Sequence, residues 1–231
     1  MSLRSFDVYA KSADTVPEVR SLIRSKGFEH RPGSPDFIVT VGGDGTYLRA
    51  ESRFPGVPKI LVRDSLICFK CHNEPLSEML DLIRADRALI VEAPKLQAGI
   101  GSEWIVGTND VVVRNVDPRH ALRFRLSVAG APIDGTLIGD GIVVATPFGS
   151  TGYYRSVSGD TFTEGIGIAY NNLSHPHAAD HVRSDVAIEL TVVRGMAHVA
   201  VDNNERLRTA EPGTVVTVRK ADAVARFVGH I

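Results

Sequence analysis

Long apolar runs are missing from this sequence, and so is an excess of charge of either sign. No stretch approaches the ~20 consecutive apolar residues that cross a bilayer as a helix, so no membrane partner is expected. Twenty-six Lys and Arg stand against 27 Asp and Glu, a formal net charge of −1. Nucleic-acid and membrane-surface proteins need a basic field, and this balance supplies none; only a local basic pocket for phosphates stays open. The amino terminus, MSLRSFDVYAKSAD, lacks the charged-then-apolar layout of a signal peptide, which points to the cytoplasm. Cysteine is scarce as well, with Cys68 and Cys71 the two in the chain. Cys68-Phe69-Lys70-Cys71-His72 matches the C-x-x-C-H spacing of haem attachment, but that chemistry normally follows export. Zinc would need a second ligand pair, and a thioredoxin-like role would want the motif at a helix start. Two free thiols near a strand end are therefore expected. The Walker phosphate loop, G-x-x-x-x-G-K-[ST], is also absent.

What is there is an ordinary apolar fraction in 231 residues, enough for one large domain or two small ones. Up to about residue 95 strands and helices alternate. Ser5–Ala10, Asp36–Val41, Lys59–Val62 and Ala88–Glu92 read as strands. A helix with Pro17 in its first turn and an apolar face of Val16, Val19, Leu22 and Ile23 ends at Gly27. A second runs to Arg53, and a third covers Pro75 to Ala85 with Leu76, Met79, Leu80 and Ile83 on one side. Such alternation predicts an α/β domain with a parallel, doubly wound sheet. From about residue 97 short strand-like runs replace helical periodicity, several joined by turns such as Ala129-Gly130 and Arg194-Gly195. The expected second domain is all-β and sandwich-like. The boundaries are 1–96 and 97–231, with room for the last residues to return to the first domain.

Three pieces carry chemistry. In Val39-Thr40-Val41-Gly42-Gly43-Asp44-Gly45-Thr46 an apolar strand runs into a glycine-rich turn and a helix opens. Glycines let backbone approach a phosphate, and a helix amino terminus attracts anions. Asp44 then stands at the carboxyl end of a parallel strand, where open α/β sheets place ligands. It can bind magnesium or take a proton from an attacking hydroxyl; the plainer alternative is a tight turn with a capping Asp. The second piece is Gly139-Asp140-Gly141 with the strand and loop through Thr146-Pro147-Phe148-Gly149-Ser150-Thr151-Gly152-Tyr153. Here Ser150 and Thr151 either cap a helix or bond ribose and phosphate, with Tyr153 packing on a flat ring. The third is Asn109-Asp110 ahead of a β-branched strand, either an Asx turn or a reader of adenine and ribose. His175, His177 and His181 read as a loop, because Pro176 interrupts them and their spacing suits no helix-face metal pair.

In this order the three pieces resemble the NAD kinase family, within the superfamily that includes diacylglycerol and sphingosine kinases. The resemblance rests on GGDGTYLRA at Gly42–Ala50, the Asn109-Asp110 pair and DG…TPFGSTGY at Asp140–Tyr153, and it extends from the first strand to near the carboxyl terminus. It implies a phosphotransferase that moves a phosphoryl group from ATP or inorganic polyphosphate to the adenosine 2′-hydroxyl of NAD, giving NADP. Mg2+ or another divalent cation and a homodimer or homotetramer are implied with it. Asp44 is then the catalytic aspartate, and Gly43, Gly45, Thr46 and Arg49 fall at the nucleotide. Asn109 and Asp110 hold adenosine, and His120 lines the NAD site. Asp140, Thr151, Gly152, Tyr153 and Ser156 are further contacts, as is Asn204, where relatives often carry Gln. Pro176-His177 with Arg183 loosely echoes a family motif.

The family's N-x-G-x-x-G-F-L loop is here Arg63 to Lys70, keeping Phe69, and its G-G-P is Ser158-Gly159-Asp160. The chain also ends at Ile231, short of the longer carboxyl-terminal segment of many relatives. The altered loop motivates one alternative, a kinase of the superfamily acting on a lipid or sugar. A nucleotide-binding regulator without catalysis is the other.

Overall fold

The computed structural model describes residues 3–66 and 68–229. Met1 and Ser2 of the amino-terminal stretch, Ile67 of the Arg63–Lys70 loop, and His230 and Ile231 lie outside them. The chain divides into two compact units: residues up to Ala93 together with those from Val224, and residues Pro94–Ala223.

The first unit is built from β1 (Ser5–Ala10), α1 (Val16–Ser25), β2 (Glu29–His30), β3 (Phe37–Gly42), α2 (Asp44–Arg53), β4 (Lys59–Arg63), α3 (Leu76–Arg84) and the start of β5 (Ile90–Ile100). Its strands lie in the order β2-β1-β3-β4, all parallel. Every residue of β3 is buried, which is why it reads as an unbroken apolar run rather than an alternating one. Ile23 of α1 and Met79, Leu80 and Ile83 of α3 join Phe6, Phe37, Val39 and Val41 in one core. Helix α2 buries Tyr47, Leu48, Ala50 and Glu51, and the Tyr47 ring packs 5.0 Å from that of Phe227. A buried ion pair fixes the exit of α2. Lys59, fully buried, donates to the Glu51 carboxylate and to the carbonyls of Phe54 at 2.7 Å and Val57 at 2.8 Å. Glu51 in turn accepts from the Gly56 amide at 2.9 Å.

The second unit holds the rest of β5, then β6 (Glu103–Gly107), β7 (Asp110–Asn115), β8 (Leu122–Val128), β9 (Ala131–Gly139), β10 (Gly141–Ala145), α4 (Tyr153–Ser158), β11 (Ile166–Asn171), β12 (Asp180–Val182), β13 (Ile188–Arg194), β14 (Ala197–Val201), β15 (Arg208–Ala210) and most of β16 (Val215–Val228). One antiparallel sheet runs β12-β11-β10-β7-β14-β15. Facing it, β13 pairs with β8 and β16, and β8 with β9. Side chains from both layers, among them Val111, Val113, Ile142 and Val144 on one and Phe124, Leu126, Leu190 and Val216 on the other, form a single core. That is the alternation of a two-layer sandwich.

Two details differ from the sequence expectation. Arg194-Gly195 does not close a hairpin: β13 and β14 lie in different layers, because each has apolar residues that complete its own sheet. The unit is also not wholly β, since α4 follows the glycine-rich loop after β10. No helix among the described residues is long and apolar enough to cross a membrane.

Candidate active site

Gly42 ends β3 and Asp44 begins α2. A side chain at Gly42 would meet the Thr46 hydroxyl at 2.3 Å, so glycine is what lets the first turn of α2 fold back over the strand end. The Thr46 and Tyr47 amides close that turn on the Gly43 carbonyl at 2.9 and 3.2 Å. Asp44 is half-buried, while Gly45 and Arg49 are exposed. Its carboxylate is held from outside the helix: Oδ2 accepts from the Phe69 amide at 3.2 Å and Oδ1 from the Lys70 amide at 3.3 Å. The Sγ of Cys68 touches Oδ1 at 3.3 Å. Burial pushes the Lys70 ammonium below its ordinary value, with the Asp44 charge pulling the other way.

Cys68 and Cys71 are not the two thiols expected. They are joined in a disulfide with Cα atoms 5.6 Å apart, a separation inside the roughly 4.4–6.8 Å window that two cysteines need. The motif sits on the loop between β4 and α3 and not at a helix start.

A second cluster forms where β7 begins. Asp202, at the end of β14, accepts from three successive amides: Thr108 at 2.7 Å, Asn109 at 2.8 Å and Asp110 at 3.1 Å. The Thr146 hydroxyl donates to the Thr108 carbonyl at 2.6 Å and accepts from the Gly149 amide at 3.0 Å. A Cβ at Gly149 would lie 2.0 Å from the Asn109 carbonyl, so only glycine lets this loop close on the Asn-Asp pair. Gly152 lies against the side chains of Asn109 and Asp110. Asp110 is buried, and burial first and Asp202 second raise its carboxyl to about 7. Burial also raises Asp202, against its three amide bonds and Lys95. The buried Oδ1 of Asn109 has no hydrogen-bond partner among the described residues, an acceptor that a bound amino group would satisfy.

No family model matches the chain. Its sequence is similar to the NAD kinase of Heliobacterium modesticaldum, 29% identical over 226 residues that cover 92% of this chain and 76% of that protein. It is likewise similar to the NAD kinase of Thermoplasma acidophilum, 28% identical with 91% and 80% covered. Among solved structures, an NAD kinase from Archaeoglobus fulgidus in complex with ATP superposes with a TM-score of 0.83 at 21% identity, covering 97% of this chain and 93% of that one. Yeast NADH kinase complexed with NADH gives 0.88 at 16% identity, with 100% and 84% covered.

Over most of its length the chain is similar to NAD kinases.

Within the NAD kinase framework the remaining residues fall into separate places. Thr151 is in the turn that brings Gly149 and Gly152 to Asn109, so it belongs with the Asn-Asp cluster. Neither Ser150 nor Thr151 caps α4, whose cap position is Gly152 with no side-chain bond. Ser150 instead donates to the carbonyls of Pro147 at 2.9 Å and Phe162 at 3.1 Å. Tyr153, 36% exposed, accepts from Asn171 at 3.2 Å, and Ser156 lies one turn on. The side-chain oxygen of Asn204 is taken by the Arg206 amide at 2.9 Å.

Asp140 and His120 form another group. Asn115 donates to the Asp140 carboxylate at 3.2 Å and to the His120 carbonyl at 3.1 Å. Because Gly141 pairs with Arg114 and Ala145 with Asp110, this group is at the opposite end of β7 from Asp110, roughly 17 Å along the strand at ~3.3 Å per residue. His120 lines a cavity of about 460 Å³ with Asp117, Arg123, Arg194 and Met196.

The histidine-rich segment is a loop leading into β12. Among the described residues no three His, Cys, Asp or Glu side chains gather as metal ligands. Asp202, Thr146 and the disulfide are the parts that sequence reasoning missed. Their partners lie far away in sequence, or, for the disulfide, turn on how a loop closes.

Proposed function

We propose that this chain phosphorylates the adenosine 2′-hydroxyl of NAD with ATP, giving NADP, and that Asp44 accepts the hydroxyl proton. The observation that carries this reading is the half-exposed Asp44 carboxylate at the start of α2, oriented by an amide on each oxygen. A ribose hydroxyl is a poor nucleophile near neutral pH, and a positioned base contributes typically ~10²–10⁴-fold. Each carboxylate oxygen has two acceptor directions, so the amide bonds leave room for the ribose proton. The amino end of α2 carries partial positive charge suited to the donor's phosphates. The Asn109–Asp110 cluster, with its buried, unpartnered amide oxygen, takes the adenosine, and Gly149 to Gly152 close beside it.

Magnesium fits on terms that need little from the protein. It usually binds one or two carboxylates and fills its shell with phosphate oxygens and water. Asp44 would be that carboxylate, and the ion supplies charge neutralisation on the transferred group. ATP is favoured over polyphosphate by the Archaeoglobus relative, which was solved with ATP. Yeast NADH kinase, solved with NADH, supports a dinucleotide acceptor. Asp140 and His120 stand too far along β7 to share the Asn109–Asp110 pocket of one chain. A homodimer or homotetramer, in which a second copy brings them to the nucleotide, accommodates both. The cytoplasm is the compartment proposed.

Direct detection of NADP after incubation with NAD, Mg2+ and either ATP or polyphosphate tests the reading. NADP with ATP is the expected result. Thermal stabilisation by NAD with no NADP from either donor would instead mark a nucleotide-binding regulator.

A further inference from the structure

Asp44 takes its two amide bonds from a segment whose residues facing it are only partly buried. Phe69 and Lys70 supply the two amides, yet the Phe69 side chain is 58% exposed and Lys70 is only half-buried. The described residues between β4 and α3 have no regular structure. Among the segment's ties to the unit are Arg63, which donates to the Cys68 carbonyl at 2.7 Å, and the His72 amide on the Leu61 carbonyl at 3.0 Å. Between those ties, the two residues that face Asp44 are enclosed in the ring that the Cys68–Cys71 disulfide closes. Its two sulfurs lie 3.3 Å from Asp44 Oδ1 and 3.7 Å from the Gly42 carbonyl. A disulfide sulfur has no proton to donate, so these are contacts and not bonds. Ring closure restricts where the Phe69 and Lys70 amides can point.

We propose that Cys68 and Cys71 are positioning residues for Asp44, and that reversible opening of their disulfide by a dithiol reductant governs the rate of phosphoryl transfer. This rests on Asp44 being the base proposed above. Cys68 is 5% exposed and Cys71 half-buried, so the entering thiolate attacks Cys71 Sγ. The S–S bond breaks, a mixed disulfide forms at Cys71, and Cys68 leaves as a thiolate. That negative charge is born 3.3 Å from the Asp44 carboxylate, and repulsion parts them until the sulfur takes a proton. The second thiolate of the reductant attacks its own sulfur in the mixed disulfide and frees Cys71, which is protonated in turn. The protein gains two electrons and two protons, and the dithiol becomes a cyclic disulfide. The opened loop no longer fixes its amides on Asp44. A more oxidising disulfide runs the same two exchanges in reverse, is itself reduced to the dithiol, and restores them.

The experiment uses the full chain, poised fully oxidised or fully reduced with dithiothreitol, and follows NADP formation from NAD, ATP and Mg2+. Reduction should lower kcat about tenfold or more, since a ~1 Å misplacement costs up to about 100-fold. KM for NAD should stay within about twofold, because the interaction lost is made in the transition state. Reoxidation should restore the rate. The Cys68→Ser, Cys71→Ser double variant should behave as the reduced protein and ignore dithiothreitol. Equal kcat in the two redox states overturns the proposal, as does a loss that falls on KM and kcat alike. If neither state makes NADP, the kinase reading itself fails. Amide hydrogen exchange at Phe69 and Lys70 then decides: faster exchange on reduction supports the positioning role, and unchanged exchange overturns it.

Discussion

Two aspartates at strand boundaries, one in each unit, have been given opposite environments. Asp44 sits half-exposed at a helix start, with one amide on each oxygen and a lysine ammonium nearby. Asp110 is buried beside a second carboxylate, Asp202, which itself accepts three amides. The first arrangement keeps a carboxylate oriented and reachable. The second spends a carboxylate on architecture: Asp202 shapes the Thr108–Asp110 backbone, and the burial that makes this possible raises Asp110 to about 7. Asp44 stays reachable with one amide on each oxygen, whereas Asp202, enclosed by three amides, serves as a brace for the backbone beside Asp110.

The contrast can be broken at several points. Asp44→Asn keeps the shape and removes the base, so kcat should fall ~10²–10⁴-fold, while calorimetry finds NAD binding little changed; retention of more than about a tenth of the activity would refute the base assignment. The Glu51–Lys59 pair extends the comparison to a buried carboxylate that does have a cation. Lys59→Met should destabilise the first unit by about 3–5 kcal/mol in denaturant melts, because it strands a buried charge. The Glu51→Leu, Lys59→Met double variant should recover much of that. Asp202→Ala removes the acceptor of three amides. A loss of about 2–4 kcal/mol is expected from bonds to a charged group, together with a raised KM for NAD if those amides shape the adenosine pocket.

The smallest effect is a pH dependence. Asp110 holds its proton more tightly folded than unfolded. Its contribution is therefore fully present below the ordinary carboxylate pKa, about 4, and is lost as pH rises through about 7. Asp202 opposes its ionisation, and Lys95 acts on Asp202 from the other side. Melting temperature should fall over that window, and Asp110→Asn should flatten the fall; an unchanged slope would mean that other groups cause it.

The sequence announced what is local and concealed what is distant. The Gly42 to Thr46 turn was readable because an apolar strand, glycines and a helix start follow one another without a break. Helix α3 was readable from Leu76, Met79, Leu80 and Ile83 at helical spacing. Strand β9 was not, since Pro132 and Gly135 interrupt it. The far half of β16 was hidden because Arg219, Lys220 and Asp222 break the apolar pattern where the strand passes from one unit to the other. Asp202 looked like part of a turn in Val201-Asp202-Asn203-Asn204, and it does turn the chain, with φ at +51°. Nothing in those four letters names the amides of Thr108 to Asp110 as its partners. The disulfide failed for another reason: C-x-x-C spacing was weighed against three known uses, while its actual place depends on a loop lying over Asp44.

Strand β16 begins with Val215 against β13, and it ends with Phe227 beside Lys59 of β4 and the ring of Tyr47. The unit that carries Asp44 therefore borrows its last strand segment from the far end of the polypeptide. On a ribosome, β1 to α3 emerge long before Phe227 is available to cover Tyr47. Loop closure over so long a span is slow compared with local pairing. The GGDG turn is thus synthesised well before the residue that completes the packing around α2, and until then the Tyr47 ring lacks its cover.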